Sequence, residues 1–288
     1  MSNSIVLIAE IGCNHMGDIA LAKAMIDSAV DFCGVRHVKF QKRNNRELLS
    51  EEQYNAPHPN PSNSYGDTYG EHREFLEFSL IEHKELKEYC ESKGVTYSSS
   101  VWDLTSSKEI ASLNPTMIKI PSATNTNFEV LKWLLENYNG EIHLSLGMTT
   151  REEENLIINL FIQMNRIRDL VLYACTSGYP VPFDEVHLLE VKRLKEDYGK
   201  LVKAIGFSGH HNGIAIDIAA QTLGAEYIER HFTLNRTFKG TDHAASLEPD
   251  GLRKLMRNID ATSDALTYKS KEIVDIEVPQ RKKLKYHG

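Results

Sequence analysis

Cysteine is sparse in this chain: four residues in 288 (Cys13, Cys33, Cys90, Cys175), scattered and without a C-x-x-C pair. That excludes a disulfide scaffold and a cysteine-rich zinc module, and it leads us to expect a reduced, cytoplasmic protein. Positive charge is not in excess either. Thirty-three Lys and Arg stand against 40 Asp and Glu, a formal net charge of −7. Nucleic acid and anionic membrane surfaces are therefore poor partners, because phosphate binders carry a basic face. No apolar run approaches the roughly 18 residues that cross a bilayer. The first residues, "MSNSIVLIAEIG", lack the basic and apolar regions of a signal peptide.

The chain does contain alternation. Short β-branched runs at Ile5–Ile11, Val35–Gln41, Val95–Ser100, Met117–Ile120, Glu141–Leu146, Asp169–Cys175, Val202–Ser208 and Glu226–His231 are expected strands. Amphipathic segments separate them. Asp18 is placed to open a helix over Ile19–Cys33, with Gly34 to close it. Thr149 or Thr150 opens another whose first turn is acidic, and Leu252–Leu266 is a last one. Eight strands alternating with helices predict a single-domain (β/α)8 TIM barrel of the α/β class. An open doubly wound sheet would carry a G-x-G-x-x-G turn after its first strand, and "EIGCNHMGD" has none. Residues 44–73 read as a long polar loop, and Gln280–Gly288 as a solvated basic end.

Active sites of such barrels gather at the C-terminal strand ends. There the chain offers Glu10, Lys39, Gln41, Ser100, Lys119, Ser122, Ser145, Tyr179, Ser208, His210 and His231, with Asp242 following. Two lysines inside strands, with hydroxyls around them, suit a small polyanion. Two imidazoles on consecutive strands suit a divalent ion such as Mn²⁺, Fe²⁺ or Zn²⁺. Glu10 and Asp242 are the carboxylates available for acid–base work. The residue types alone leave open whether a strand lysine points outward or a histidine is merely a packed one. Cys13 reads as an inert thiol, and His15 and His211 as second choices.

The motifs "IAEIGCNHMGD", "VKFQK", "IKIPS", "LSLGMTT", "IERHFTL" and "GTDHAASLEPD" occur in that order. Together they resemble the sialic acid (nonulosonate) synthase family. The resemblance implies condensation of phosphoenolpyruvate with an open-chain N-acetylhexosamine such as N-acetylmannosamine, releasing phosphate. It also implies a divalent cofactor, Mn²⁺ first and Mg²⁺ or Co²⁺ as alternatives. By motif, Lys39, Ser100, Lys119, Ser122, Ser145 and Ser208 match the phosphoenolpyruvate residues, and His210 and His231 the metal ligands. Glu10, Gln41, Tyr179 and Asp242 match residues around the sugar and the reacting centre, with Glu10, Asp242 and Lys119 expected to be catalytic.

The chain departs from the family at three places. An acidic residue after the fourth strand is replaced by Thr124, and an asparagine in the sixth-strand motif by Ser177. The expected layout is a barrel over 1–268 and an extension over 269–288, with no antifreeze-like domain. A homo-oligomer contact, a partner chain or the 44–73 loop would then close the mouth, with Tyr69 or Arg73 meeting the sugar. Arg43, Arg46 and Arg73 leave a phosphorylated aldose open, and a non-catalytic sugar-binding paralogue is the remaining alternative.

Overall fold

A computed structural model describes residues 5–286. Eight strands close into a barrel in sequence order, all pairs parallel: β1 (Val6–Gly12), β2 (His37–Lys42), β3 (Thr96–Val101), β4 (Met117–Ile120), β5 (Glu141–Ser145), β6 (Leu170–Cys175), β7 (Ala204–Gly209) and β8 (Tyr227–His231). The TIM-barrel expectation is met, and each strand lies within two residues of its predicted bounds at either end. Around them run α1 (Ile19–Asp27), α2 (Asn45–Leu48), α3 (Glu51–Asn55), α4 (Tyr69–Phe75), α5 (Leu80–Ser92) and α6 (Leu104–Ser112). The second half adds α7 (Phe128–Asn137), α8 (Arg151–Gln163), α9 (Leu189–Tyr198), α10 (Ala215–Thr222), α11 (Pro249–Ala265) and α12 (Glu277–Leu284).

The two-residue period of a strand divides its side chains between two environments. In β2, Val38 and Phe40 are buried in the apolar layer shared with Ile26, Leu86 and Ile228, while Lys39 and Gln41 take the other face. In β4, Ile118 and Ile120 join Leu131, Leu134, Ile142 and Leu144, and Lys119 takes the opposite face. The greasy core therefore lies between strands and helices. The barrel interior is largely polar, holding Lys39, Ser98, Lys119, His143 and Glu229, all buried.

Helix starts follow the caps. The Asp18 carboxylate accepts from the Ala20 and Leu21 amides at 2.7 and 3.2 Å, opening α1. The segment continues as one π-helical turn over Ser28–Phe32 and closes at Gly34, whose φ of 80° suits a residue without a Cβ. Thr150, rather than Thr149, caps α8, in a capping box with Glu153.

One expectation is corrected. Residues 44–73 are not an open loop: they contain α2, α3, a 3₁₀ turn at Pro61–Asn63 and the start of α4. Their Asn, Ser and Thr side chains, read as loop formers, are the N-caps Asn44, Ser50, Asn60 and Thr68. The basic end is solvated as expected: α12 reaches into it, exposed apart from a half-buried Glu277, with cationic residues in its last turn. The final residues of the predicted Gln280–Gly288 end lie outside the described ones.

The barrel buries neutral histidines. His83 is fully buried, its Nδ1 2.7 Å from the Tyr97 hydroxyl, and burial lowers it to about 3; burial also lowers His15 to about 3. In the unfolded chain these imidazoles take protons below about 6.5. Stability is thus complete above that pH and is lost as pH falls toward 3. Urea midpoints should fall between pH 6.5 and 4.5, by on the order of 2 kcal/mol per histidine. His83→Gln should flatten that slope, and an unchanged slope would contradict the assignment.

Candidate active site

β1, β2, β3, β4, β7 and β8 deliver one charged cluster to the barrel floor. Glu229 is central. Lys119 Nζ lies 3.2 and 3.4 Å from its two carboxylate oxygens, Lys39 Nζ lies 3.7 Å away, and the Ser208 hydroxyl donates to it at 3.1 Å. Lys39 also contacts the Glu10 carboxylate and donates to Ser100 Oγ at 2.6 Å. Burial alone would raise Glu229, but Lys119 and Lys39 outweigh it and hold its carboxyl well below the usual range. Burial raises Glu10 to about 8; Lys39 opposes that shift and Glu229 adds to it. Burial depresses Lys119.

This floor opens into a cavity of about 370 Å³, within the size range of small-molecule sites. Of the predicted residues, Glu10, Lys39, Gln41, Tyr69, Arg73, Ser100, Lys119, Ser122, Ser145, Tyr179, Ser208, His210, His231 and Asp242 all line it. Both strand lysines point inward. Thr124, which stands where the family carries an acidic residue and was read as a sugar-binding position, does not line the cavity; Ser122 and Ala123, on the same short turn after β4, do. The Ser145 hydroxyl is buried without a partner, a donor waiting for an acceptor.

The two histidines form one wall. Their rings are 5.5 Å apart, and Tyr179 packs 4.3 Å from His210 at the rim. His210 Nδ1 lies 3.0 Å from the Thr176 carbonyl oxygen, which accepts its N–H; burial works against its charged form, but Cys175 and that carbonyl outweigh it and raise its pKa. Burial lowers His231 to about 4, so it is neutral; its Nδ1 has no hydrogen-bond partner, and Asp242 Oδ2 stands 4.0 Å away. Two imidazoles with a neighbouring carboxylate fit a divalent ion with open positions. No group of three or more His, Cys, Asp or Glu has metal-holding geometry among the described residues, so the remaining ligands would be water or substrate.

Local structure explains the placement. Gly12 ends β1 at φ 55°, and a Cβ there would sit 3.0 Å from Glu10 Oε1. In β8, Glu229 and His231 face the cavity while Arg230 turns outward, fully buried, onto Asp217 of α10. Arg230 also donates to the carbonyls of His211 and Gly213 at 2.6 and 2.9 Å, tying down the segment that follows His210. His211 therefore belongs to this outer ion-pair cluster, and His15 stacks on Phe78 at 3.9 Å.

Across the mouth stands the segment once read as a loop. Tyr65 donates to the Lys239 carbonyl at 2.6 Å, linking the 44–73 excursion to the connection after β8. Arg73 lies between Tyr69 and Trp102, 5.5 and 5.6 Å from their rings. It is 7% exposed, its Nε has no partner, and no ion pair reaches it among the described residues. Arg43, by contrast, is paired with Glu77. Sequence reasoning places Glu229 at the mouth without a role, and it missed Trp102, His58 and His72 as lining residues. For Glu229 a signal existed, an acid inside the strand "YIERH".

The profile of the NeuB family matches residues 25–271. The chain belongs to the NeuB family. N-acetylneuraminate-9-phosphate synthase of Homo sapiens is 36% identical over 285 residues, covering 96% of this chain and 76% of its own. N,N'-diacetyllegionaminic acid synthase of Campylobacter jejuni is 36% identical over 255 residues, covering 88% and 75%. The crystal structure of an N-acetylneuraminic acid (sialic acid) synthetase from Leptospira borgpetersenii, in complex with citrate, superposes with a TM-score of 0.82 at 28% identity, covering 98% and 93%. The family resemblance and the expectation of a sialic acid synthase-like enzyme are thereby met. No described helix is long and apolar enough to cross a membrane.

Within this NeuB barrel the Arg230–Asp217 pair carries a buried charge on each side. Asp217→Ala leaves Arg230 uncompensated and should cost about 3–5 kcal/mol in urea unfolding. A loss below 1 kcal/mol would show that water or another group neutralises Arg230.

Proposed function

We propose that this chain condenses phosphoenolpyruvate with an open-chain N-acetylhexosamine of the N-acetylmannosamine type, giving a nonulosonic acid and inorganic phosphate. The observation that carries the reading is the floor: two buried ammonium groups converging on one carboxylate, with serine hydroxyls beside them. An incoming phosphate and carboxylate would take up the spare donors of Lys39, Lys119, Ser100, Ser145 and Ser208, with Ser122 at the edge.

In the reaction, the methylene carbon of phosphoenolpyruvate forms a bond to the sugar's aldehyde carbon, and the aldehyde oxygen gains a proton. Positive charge left on the phosphate-bearing carbon is captured by water, which loses a proton. Cleavage of the carbon–oxygen bond to phosphate then leaves the keto acid. Lys39 and Lys119 hold the anionic groups in place throughout. Glu10, its pKa raised by burial to about 8, is in its ionised form a strong enough base to take the proton of the incoming water. Asp242, Tyr179 and Gln41 line the cavity that a sugar would enter.

His210 and His231 would hold the divalent ion, Mn²⁺ by preference, with Asp242 the nearest carboxylate. Such an ion supplies Lewis-acid polarisation of an aldehyde oxygen. His210→Ala and His231→Ala should lose Mn²⁺ binding in equilibrium dialysis; unaltered binding in both would remove the assignment. With phosphoenolpyruvate, Mn²⁺ and N-acetylmannosamine, phosphate release should depend on the sugar. Glu10→Gln should lower kcat by about 10²–10⁴-fold, the usual range for a lost general base. Full activity in that variant would refute its role.

A second reading, in which the sugar carries a phosphate at the end remote from the aldehyde, is favoured by Arg73. A guanidinium buried without a carboxylate is costly unless an anion joins it. The human relative's name includes a phosphorylated product. If the 6-phosphate is the substrate, its kcat/KM should exceed that of the neutral sugar, and Arg73→Gln should reduce that ratio by about 10-fold or more. A ratio unaffected by Arg73→Gln would return the choice to the neutral sugar.

A further inference from the structure

Beneath the charged floor lies an aromatic ring that no step above uses. Tyr173 of β6 is fully buried, and the Lys119 ammonium sits 3.4 Å from its ring centroid. That separation is well inside the range of a cation–π contact, and desolvation strengthens the attraction. The ring has little freedom. Its register partner on β7 is Gly206, where a Cβ would come within 2.5 Å of the ring, so any other residue would displace the tyrosine.

The far end of the ring is held as well. The Tyr173 hydroxyl lies 2.7 Å from His143 Nδ1, and His143 Nε2 lies 3.3 Å from Glu141 Oε2. Glu141 is paired with Lys203 at 3.1 Å, which keeps it ionised. A carboxylate at Nε2 fixes the proton there, so Nδ1 accepts and the phenol donates. Donation shifts electron density into the ring and makes its face a better partner for a cation.

The distances on the other side of Lys119 complete the argument. Charge-assisted N–H···O contacts usually close to about 2.7–2.9 Å. Lys119 instead stays 3.2 and 3.4 Å from the Glu229 oxygens, shared between carboxylate and ring. We propose that Tyr173, braced by Gly206 and the His143–Glu141 pair, is a positioning residue that draws Lys119 off Glu229 and keeps its ammonium available to an incoming anion. The inference rests on the reading of this floor as the phosphoenolpyruvate site.

The test keeps the ring's shape and changes its charge distribution. Tyr173 is replaced by phenylalanine and then by its 4-fluoro, 3,5-difluoro and 3,4,5-trifluoro analogues, which progressively weaken the negative face at nearly constant size. Calorimetric Kd for phosphoenolpyruvate without sugar should rise stepwise, by roughly 3- to 30-fold across the series. The KM of the sugar should move less than the Kd of phosphoenolpyruvate, whereas a purely structural role would shift Tm and leave that Kd flat. A flat Kd series overturns the positioning role while leaving the proposed reaction intact. Wild-type protein that does not bind phosphoenolpyruvate at all overturns the reading of the floor, and this inference with it.

Discussion

The Glu229 carboxylate, shared by Lys39 and Lys119, is the interaction around which the site is arranged. Placing two ammonium groups inside a barrel is tolerable only where a carboxylate and hydrogen-bond acceptors meet them. Glu229 supplies the charge, Ser100 and Ser208 supply hydroxyls, and Glu10 sits on the other flank of Lys39. Remove the carboxylate and both lysines would have to lose protons or leave the interior. The ionised state of Glu229 and the raised pKa of Glu10 are two outcomes of the same arrangement. Glu229 is stabilised by both lysines, whereas Glu10 meets Lys39 alone, and burial together with the field of Glu229 outweighs that contact.

Three sets of contacts support that centre. Outside the barrel, Arg230 pairs with Asp217 and holds the backbone after His210, so a residue that turns away from the cavity still shapes it. Below the floor, the His143–Tyr173 contact braces the ring under Lys119. Above it, the 44–73 excursion and the connection after β8 meet through Tyr65 and Lys239, closing one side of the mouth with Tyr69, Arg73 and Trp102. The inner end of the cavity is thus an ion cluster, while the outer end carries an arginine that no ion pair reaches among the described residues. This asymmetry fits a pair of substrates that differ in how their charge is distributed.

Much of this was legible in the chain. Alternation in "HVKFQK" and "MIKI" assigned Lys39 and Lys119 to the face opposite the valine, phenylalanine and isoleucines, and the helices start where Asp18 and Thr150 cap them. The 44–73 segment was misread because Asn, Ser and Thr favour both loops and N-caps, and composition does not separate the two. Thr124 was misplaced by motif position alone. In the short turn after β4, Ser122 and Ala123 face the cavity and Thr124 does not.

The sequence by itself determined the barrel, the strand order, the family and most of the residues at the mouth, because periodicity and capping are local and motifs are read in order. Only the tertiary structure decided what those residues meet. Lys119 and Glu229 are 110 positions apart, and no local pattern says that their side chains converge or that Tyr173 lies under one of them. The same holds for Arg73, whose lack of a counter-charge is visible only once every neighbour is in place. Charge and hydrogen-bond balance in a barrel interior are sums over all eight strands, and closure of the sheet is what brings those strands together.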